Sequence, residues 1–136
     1  MNLTVNQAQG RVPVTVVSIH GELDGSNYQT LIARAKAAYD AGTRYLLIDM
    51  SDMPFMASSG LVALHSIVKL LQGATPPDPE AGWEALHAIS REQTVGKQPF
   101  VKLLNPQPRV SQTLDMTGMQ AFFEIYTDRD TAVGSF

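Results

Sequence analysis

Two serines and a glycine, Ser58, Ser59 and Gly60, stand together in the stretch FMASSGL between Phe55 and Leu61. Hydroxyls just ahead of an apolar helix have three uses. The simplest is a helix cap, in which the serine oxygen accepts a free backbone N–H and contributes about 1 kcal/mol. The second is nucleophilic catalysis, which needs a base within hydrogen-bond reach and an acid to orient it. The third is phosphate acceptance, because a phosphoryl group there meets unpaired N–H donors and the positive end of the helix dipole.

The catalytic use finds little support. The segment reads Met56, Ala57, Ser58, Ser59, Gly60, which lacks the G-x-S-x-G elbow, and His20, His65 and His87 are dispersed. His65 lies about two turns, or some 10 Å, along the helix from Ser58, too far to activate it. No histidine pair with a neighbouring acid has metal-ligand spacing, and no glycine-rich loop could cradle a nucleotide phosphate. The residues therefore imply neither an enzyme nor a cofactor or metal. They fit a protein that receives a phosphate rather than one that binds ATP.

Elements must position these residues. VPVTVVSI (Val12 to Ile19) is short and rich in β-branched residues, which predicts a strand, and LTV (Leu3 to Val5) is an earlier candidate. Ser26 and Gln29 have capping-box spacing, and Tyr28, Leu31, Ile32, Ala35 and Tyr39 form the stripe of a helix ending near Gly42. RYLLIDM (Arg44 to Met50) reads as a strand covered on both faces and predicts the central parallel strand. Leu61, Leu64, Val68 and Leu71 mark a second helix that stops by Gly73.

GATPPDPEAG, with three prolines, cannot continue that helix, so residues 73–98 read as a surface excursion in which Trp83, Leu86 and Ile89 lie at helical spacing. Phe100 to Leu104 predicts the next strand, PRVSQTLDMT a helix closed by Gly118, and AFFEIY (Ala121 to Tyr126) a last strand, with room afterwards for a short helix. Met50, Met53, Met56, Met116 and Met119 lie in or beside apolar segments and read as core filler. Alternating strands and helices predict an α/β fold: one open mixed sheet with parallel crossovers and helices, in one domain over residues 1–136.

Composition sets the bounds. A chain of 136 residues with 44% hydrophobic content can bury a core without staples, and the absence of cysteine removes disulfide and thiolate chemistry. A formal charge of −3, with ten scattered basic residues, gives no nucleic-acid surface. No stretch approaches the roughly 20 apolar residues of a membrane span, and the first ten residues lack the pattern of a signal peptide, so no membrane insertion and a cytoplasmic location are expected.

The stretch from Gly21 to Leu64, with its G-E-L-D turn (Gly21 to Asp24), its strand ending in an acidic turn and its correctly spaced S-S-G-L (Ser58 to Leu61), resembles a STAS domain of the anti-sigma-factor antagonist family. Asn105 to Tyr126 is similar to that family's closing helix and strand. The chain departs from the pattern in three ways. Ala57 stands where the family usually has aspartate before the serines, the excursion at 73–98 is longer than usual, and the tail after Tyr126 is short.

The resemblance implies partner switching. The unmodified protein would bind an anti-sigma factor that is also a serine kinase, and phosphorylation of Ser58, with Ser59 as the alternative acceptor, would end that binding. Residues on the same helical side as Ser58, namely Val62, His65 and Lys69, would supply a partner strip, and Glu22 and Asp24 would lie beside the Ser58 loop. Two other readings stay open. One is a constitutive STAS scaffold or subunit of a signalling or lipid-transport assembly, in which Ser58 is only a cap and Glu22 and Asp24 are turn residues. The other is ligand sensing in the cleft at the strand ends.

Overall fold

The computed structural model describes residues 2–73 and 97–136. The expected excursion, with Trp83, Leu86, His87 and Ile89, lies almost wholly outside the described residues. Five strands form one sheet in the order β1 to β5: β1 (Asn2–Gln9), β2 (Pro13–His20), β3 (Leu46–Asp52), β4 (Val101–Leu104) and β5 (Ile125–Tyr126). β1 is antiparallel to β2, and every later pair is parallel, with Val17 opposite Ile48 and Ile48 opposite Leu103. The sheet is mixed and β3 is its central strand, as the apolar run RYLLIDM predicts.

Sequential order and right-handed crossovers together place the crossover helices on one face. α1 (Tyr28–Asp40), α2 (Ser58–Leu71) and α3 (Pro108–Thr117) lie on this front face, over Val17, Ile19, Leu46, Ile48, Val101 and Leu103. The back face carries a smaller cluster, Val14, Val16, Leu47 and Leu104, covered by Ala132 and Val133 of the short helix α4 (Arg129–Gly134).

Three local expectations are corrected. Ser26 and Gln29 do not form a capping box: the residue before α1 is Asn27, with no side-chain cap bond, and the Ser26 hydroxyl donates to Asp24 Oδ1 at 2.6 Å. The predicted last strand is only Ile125–Tyr126. Gly118, at φ 78°, ends α3 in the left-handed region, and a 3₁₀ turn over Met119–Ala121 drops Phe122 and Phe123 into the core as an edge-to-face pair 5.3 Å apart. Among the methionines, Met50, Met53, Met56 and Met119 are buried as expected, but Met116 faces outward on α3 and is 78% exposed.

Gln98 closes the gap before β4. Buried, it accepts the N–H groups of Phe100 and Val101 at 2.9 Å and donates to Val101 O at 2.6 Å. A polar side chain is stable in that position because each of its groups is satisfied.

Candidate functional site

β2 and β3 are parallel neighbours, so the loops that leave their carboxyl ends emerge side by side. They continue the pairing past the strands: Leu23 N–H donates to Phe55 O at 3.1 Å and Ala57 N–H donates to Leu23 O at 2.9 Å. The side chains of Leu23 and Met56, both almost wholly buried, anchor this junction. The G-E-L-D turn and the S-S-G segment, separated by more than thirty residues in sequence, are one local structure.

Gly60 explains the third residue of the motif. A Cβ there would collide with Cγ of Met56 and lie 2.9 Å from its Sδ and 3.1 Å from Leu23 Cδ2. The glycine thus lets the first turn of α2 press against the two anchors.

The serines are not caps. Ala57, extended at φ −76° and ψ 172°, occupies the cap position and makes no side-chain cap bond, while Ser58 and Ser59 are the first two residues of α2. Ser58 is exposed and Ser59 half-buried. No described histidine is hydrogen-bonded to either hydroxyl. His20 directs one ring nitrogen to Asp52 at 2.8 Å and the other to Thr4 Oγ1 at 3.0 Å.

Glu22 is exposed and Asp24 half-exposed beside the loop. Asp24 is bound into its own turn: Oδ1 accepts the Ser26 hydroxyl and the Ser26 N–H, and these bonds hold its carboxyl below the usual range. Asn27 closes the turn from the other side, accepting Asp24 N–H and donating to Glu22 O, both at 2.9 Å. Asn27 was not among the sequence candidates, although an Asx residue three positions after an aspartate is a recognisable turn signal.

The expected partner strip is corrected. Val62 and His65 are 5% and 1% exposed, and only Lys69 reaches the surface, half-buried. Residues Gly60 to Val68 are all buried, because α2 rests on the sheet with α1 along one flank and Phe122 on another, the His65 and Phe122 rings lying 6.4 Å apart. The sequence SSGLVALHSIVKLL is apolar nearly all round, the mark of a helix without a broad solvent face.

A third loop, between β4 and α3, joins the site. Gln107 Nε2 donates to Ser51 O at 2.5 Å, and the Arg109 guanidinium sits 5.0 Å from the Phe55 ring centre. The face around Ser58 is therefore built from three loops at the carboxyl ends of β2, β3 and β4. It holds a hydroxyl, exposed carboxylates, an aromatic ring and a guanidinium, and among the described residues no base is hydrogen-bonded to the serines. The Ser58 hydroxyl is open to solvent, and the carboxylates, ring and guanidinium beside it give the face both polar and apolar groups.

The STAS domain family model matches residues 6–75, a little over half the chain and the whole of the Leu23 to Gly60 junction. The chain belongs to the STAS domain family. Similar solved structures include a candidate anti-sigma factor antagonist from Thermotoga maritima, 16% identical with a TM-score of 0.70 over 96% of this chain and 90% of that one. An anti-sigma factor antagonist from Mycobacterium paratuberculosis is 22% identical, with a TM-score of 0.65 over 97% and 90% of the two chains. The phosphorylated Bacillus cell fate determinant SpoIIAA is 17% identical, with a TM-score of 0.54 over 96% of each chain. At these identities the likeness is one of fold. None of the curated proteins matches the chain in sequence. No helix among the described residues is long and apolar enough to cross a membrane, and no cluster of three or more His, Asp or Glu among them could hold a metal ion.

Proposed function

We propose that this STAS domain is a cytoplasmic anti-sigma-factor antagonist that works by partner switching. Unphosphorylated, it binds an anti-sigma factor with serine kinase activity, and phosphorylation of Ser58 releases it. The protein is then a ligand and a substrate rather than a catalyst. The observation that carries this reading is the placement of Ser58: exposed at the first position of α2, tethered through Ala57 to the G-E-L-D turn, with no cap bond from the preceding side chain.

A phosphoryl group there adds about two negative charges close to Glu22 and Asp24. The helix start accommodates it, whereas a docked partner meets new charge and bulk. Because Val62 and His65 are buried, the partner face in this proposal consists of Ser58, Ser59, Glu22, Asp24 and the neighbouring Phe55 and Arg109; Lys69, in the last turn of α2 and about 16 Å along the helix from Ser58, lies apart from it.

Ala57 favours a second reading. It stands where aspartate is usual in the family, and a kinase that reads that carboxylate would pass over Ser58, leaving a constitutive scaffold. Incubation with an anti-sigma factor kinase and ATP, followed by mass mapping, separates the two. A phosphate on Ser58, together with partner capture by wild type and Ser58→Ala but not by Ser58→Glu, supports switching. Equal capture by all three folded proteins supports the scaffold.

A further inference from the structure

The outer edge of β1 plays no part in the switching face. β1 pairs with β2 along all eight residues, from Asn2 opposite His20 to Gln9 opposite Pro13, without a register shift, and among the described residues it is the terminal strand of the sheet. In an antiparallel pair, alternate residues turn their N–H and C=O groups away from the partner, so the far edge presents about four of each.

Natural edge strands are kept from pairing by charge, proline, bulges or brevity. NLTVNQAQ has no charged residue and no proline, is free of bulges, and is longer than the usual five or six residues. The opposite edge is managed differently: β5 is two residues long and is flanked by Glu124 and Asp128. The two edges of one sheet are thus treated in opposite ways, and only one is protected.

We infer that β1 is a homodimerisation edge, pairing antiparallel with β1 of a second copy to make one continuous sheet from the two five-stranded halves. The occupant follows from the strand itself. A strand edge is complemented by another strand, and a two-fold axis perpendicular to the sheet makes an antiparallel edge complementary to itself. With no charge in Asn2–Gln9, the strand meets no like-charge penalty against its copy. The axis keeps front faces together, so paired positions share parity, and the half-buried Leu3 and Val5 extend the front-face cluster of both copies. α2 follows β3, two strands in from this edge, so pairing leaves Ser58 exposed.

The test uses the full chain in sedimentation equilibrium. Wild type shows a mass that doubles with rising concentration, Asn6→Lys moves the midpoint several-fold upward, and Asn6→Gln leaves it in place. Because the chain has no cysteine, single cysteines placed in turn at Leu3 to Ala8 give a clean second reading. Disulfide formation needs Cβ atoms about 3.5–4.5 Å apart, so intermolecular crosslinking peaks at the one position on the axis and is absent for Gln112→Cys on α3. A wild type that stays monomeric up to about 1 mM overturns the inference. So does a dimer that crosslinks equally at all positions or through Gln112→Cys, and so does pairing seen only when a strand of another protein is supplied.

Discussion

The two faces of the sheet are covered by different means. On the front, the three crossover helices among the described residues bury an apolar cluster that runs from Val17 and Ile48 through Leu64 and Ile67 to Phe123. On the back, a six-residue helix covers a patch of four strand residues, and polar groups hold it there. Lys102, buried beneath the chain end, donates to Ser135 O and Oγ at 3.0 Å and pairs with Glu124 Oε2 at 3.1 Å, while Asp128 caps α4 by accepting Thr131 N–H at 2.9 Å. The difference follows from topology. Sequential strand order sends the crossovers to the front, and the back is left to whatever follows β5. The Ser58 junction is mounted on the apolar side and is positioned chiefly by the packing of Leu23 and Met56, whereas the tail is held chiefly by charges that respond to pH.

The contrast can be broken most severely at the front. Leu23→Ala removes a wholly buried anchor and is expected to cost about 2–5 kcal/mol in urea unfolding, with loss of the G-E-L-D to Ser58 junction. Retention of wild-type stability would show that the turn is not anchored by packing. On the back, Glu124→Gln leaves the Lys102 cation without its ion-pair partner. The expected loss is about 2 kcal/mol, below the 3–5 of a wholly buried pair because Glu124 is 36% exposed in its side chain. Val133→Ala, which trims the back patch by two methyl-sized groups, is expected to cost about 1.5 kcal/mol.

Acid sharpens the comparison. Burial raises the Glu124 carboxyl, but the hydrogen bonds from Lys102 and Tyr126 and the Lys102 charge outweigh it, and the group is held below its usual range. Asp128 is also lowered, by the Thr131 hydroxyl and N–H. A depressed carboxyl contributes stability that is present above its unfolded value, 4.5 and 3.8 for these two groups, and is lost as pH falls through the folded value. Between pH 5 and pH 3, NMR resonances of α4 and the chain end are expected to shift or broaden before those of α1 and α2. The smallest effect is local to the candidate site: Ser26→Ala removes the main hydrogen bond to Asp24, and its carboxyl should titrate closer to 3.8 with the fold unchanged.

Much of this was legible in the sequence. The apolar run before Met50 gave the central strand, Gly118 the end of α3, and the paired G-E-L-D and S-S-G-L the family. The departures share one physical origin, since each depends on what a neighbour in space supplies. Spacing puts Val62 and His65 on one stripe with Ser58, whereas α2 is covered on several sides. Ser26 looked like a cap until Asp24 claimed its hydroxyl. Met116 reads as core because methionine is apolar, yet its position on α3 turns it outward. Lys102 shows the converse, a lysine between apolar residues in β4 that is buried because Glu124, Ser135 and the Phe136 ring, 4.7 Å away, receive it.

In the switching reading, a phosphate on Ser58 ends partner binding without disturbing the fold. The most direct test of that reading is a calorimetric titration of an anti-sigma factor kinase, without ATP, into unmodified protein and into protein phosphorylated at Ser58 alone, each checked by NMR. The phosphorylated form is expected to bind at least about 100-fold more weakly, about 2.7 kcal/mol, with spectral changes confined to the start of α2 and the G-E-L-D turn. Equal affinity for the two forms would contradict that reading.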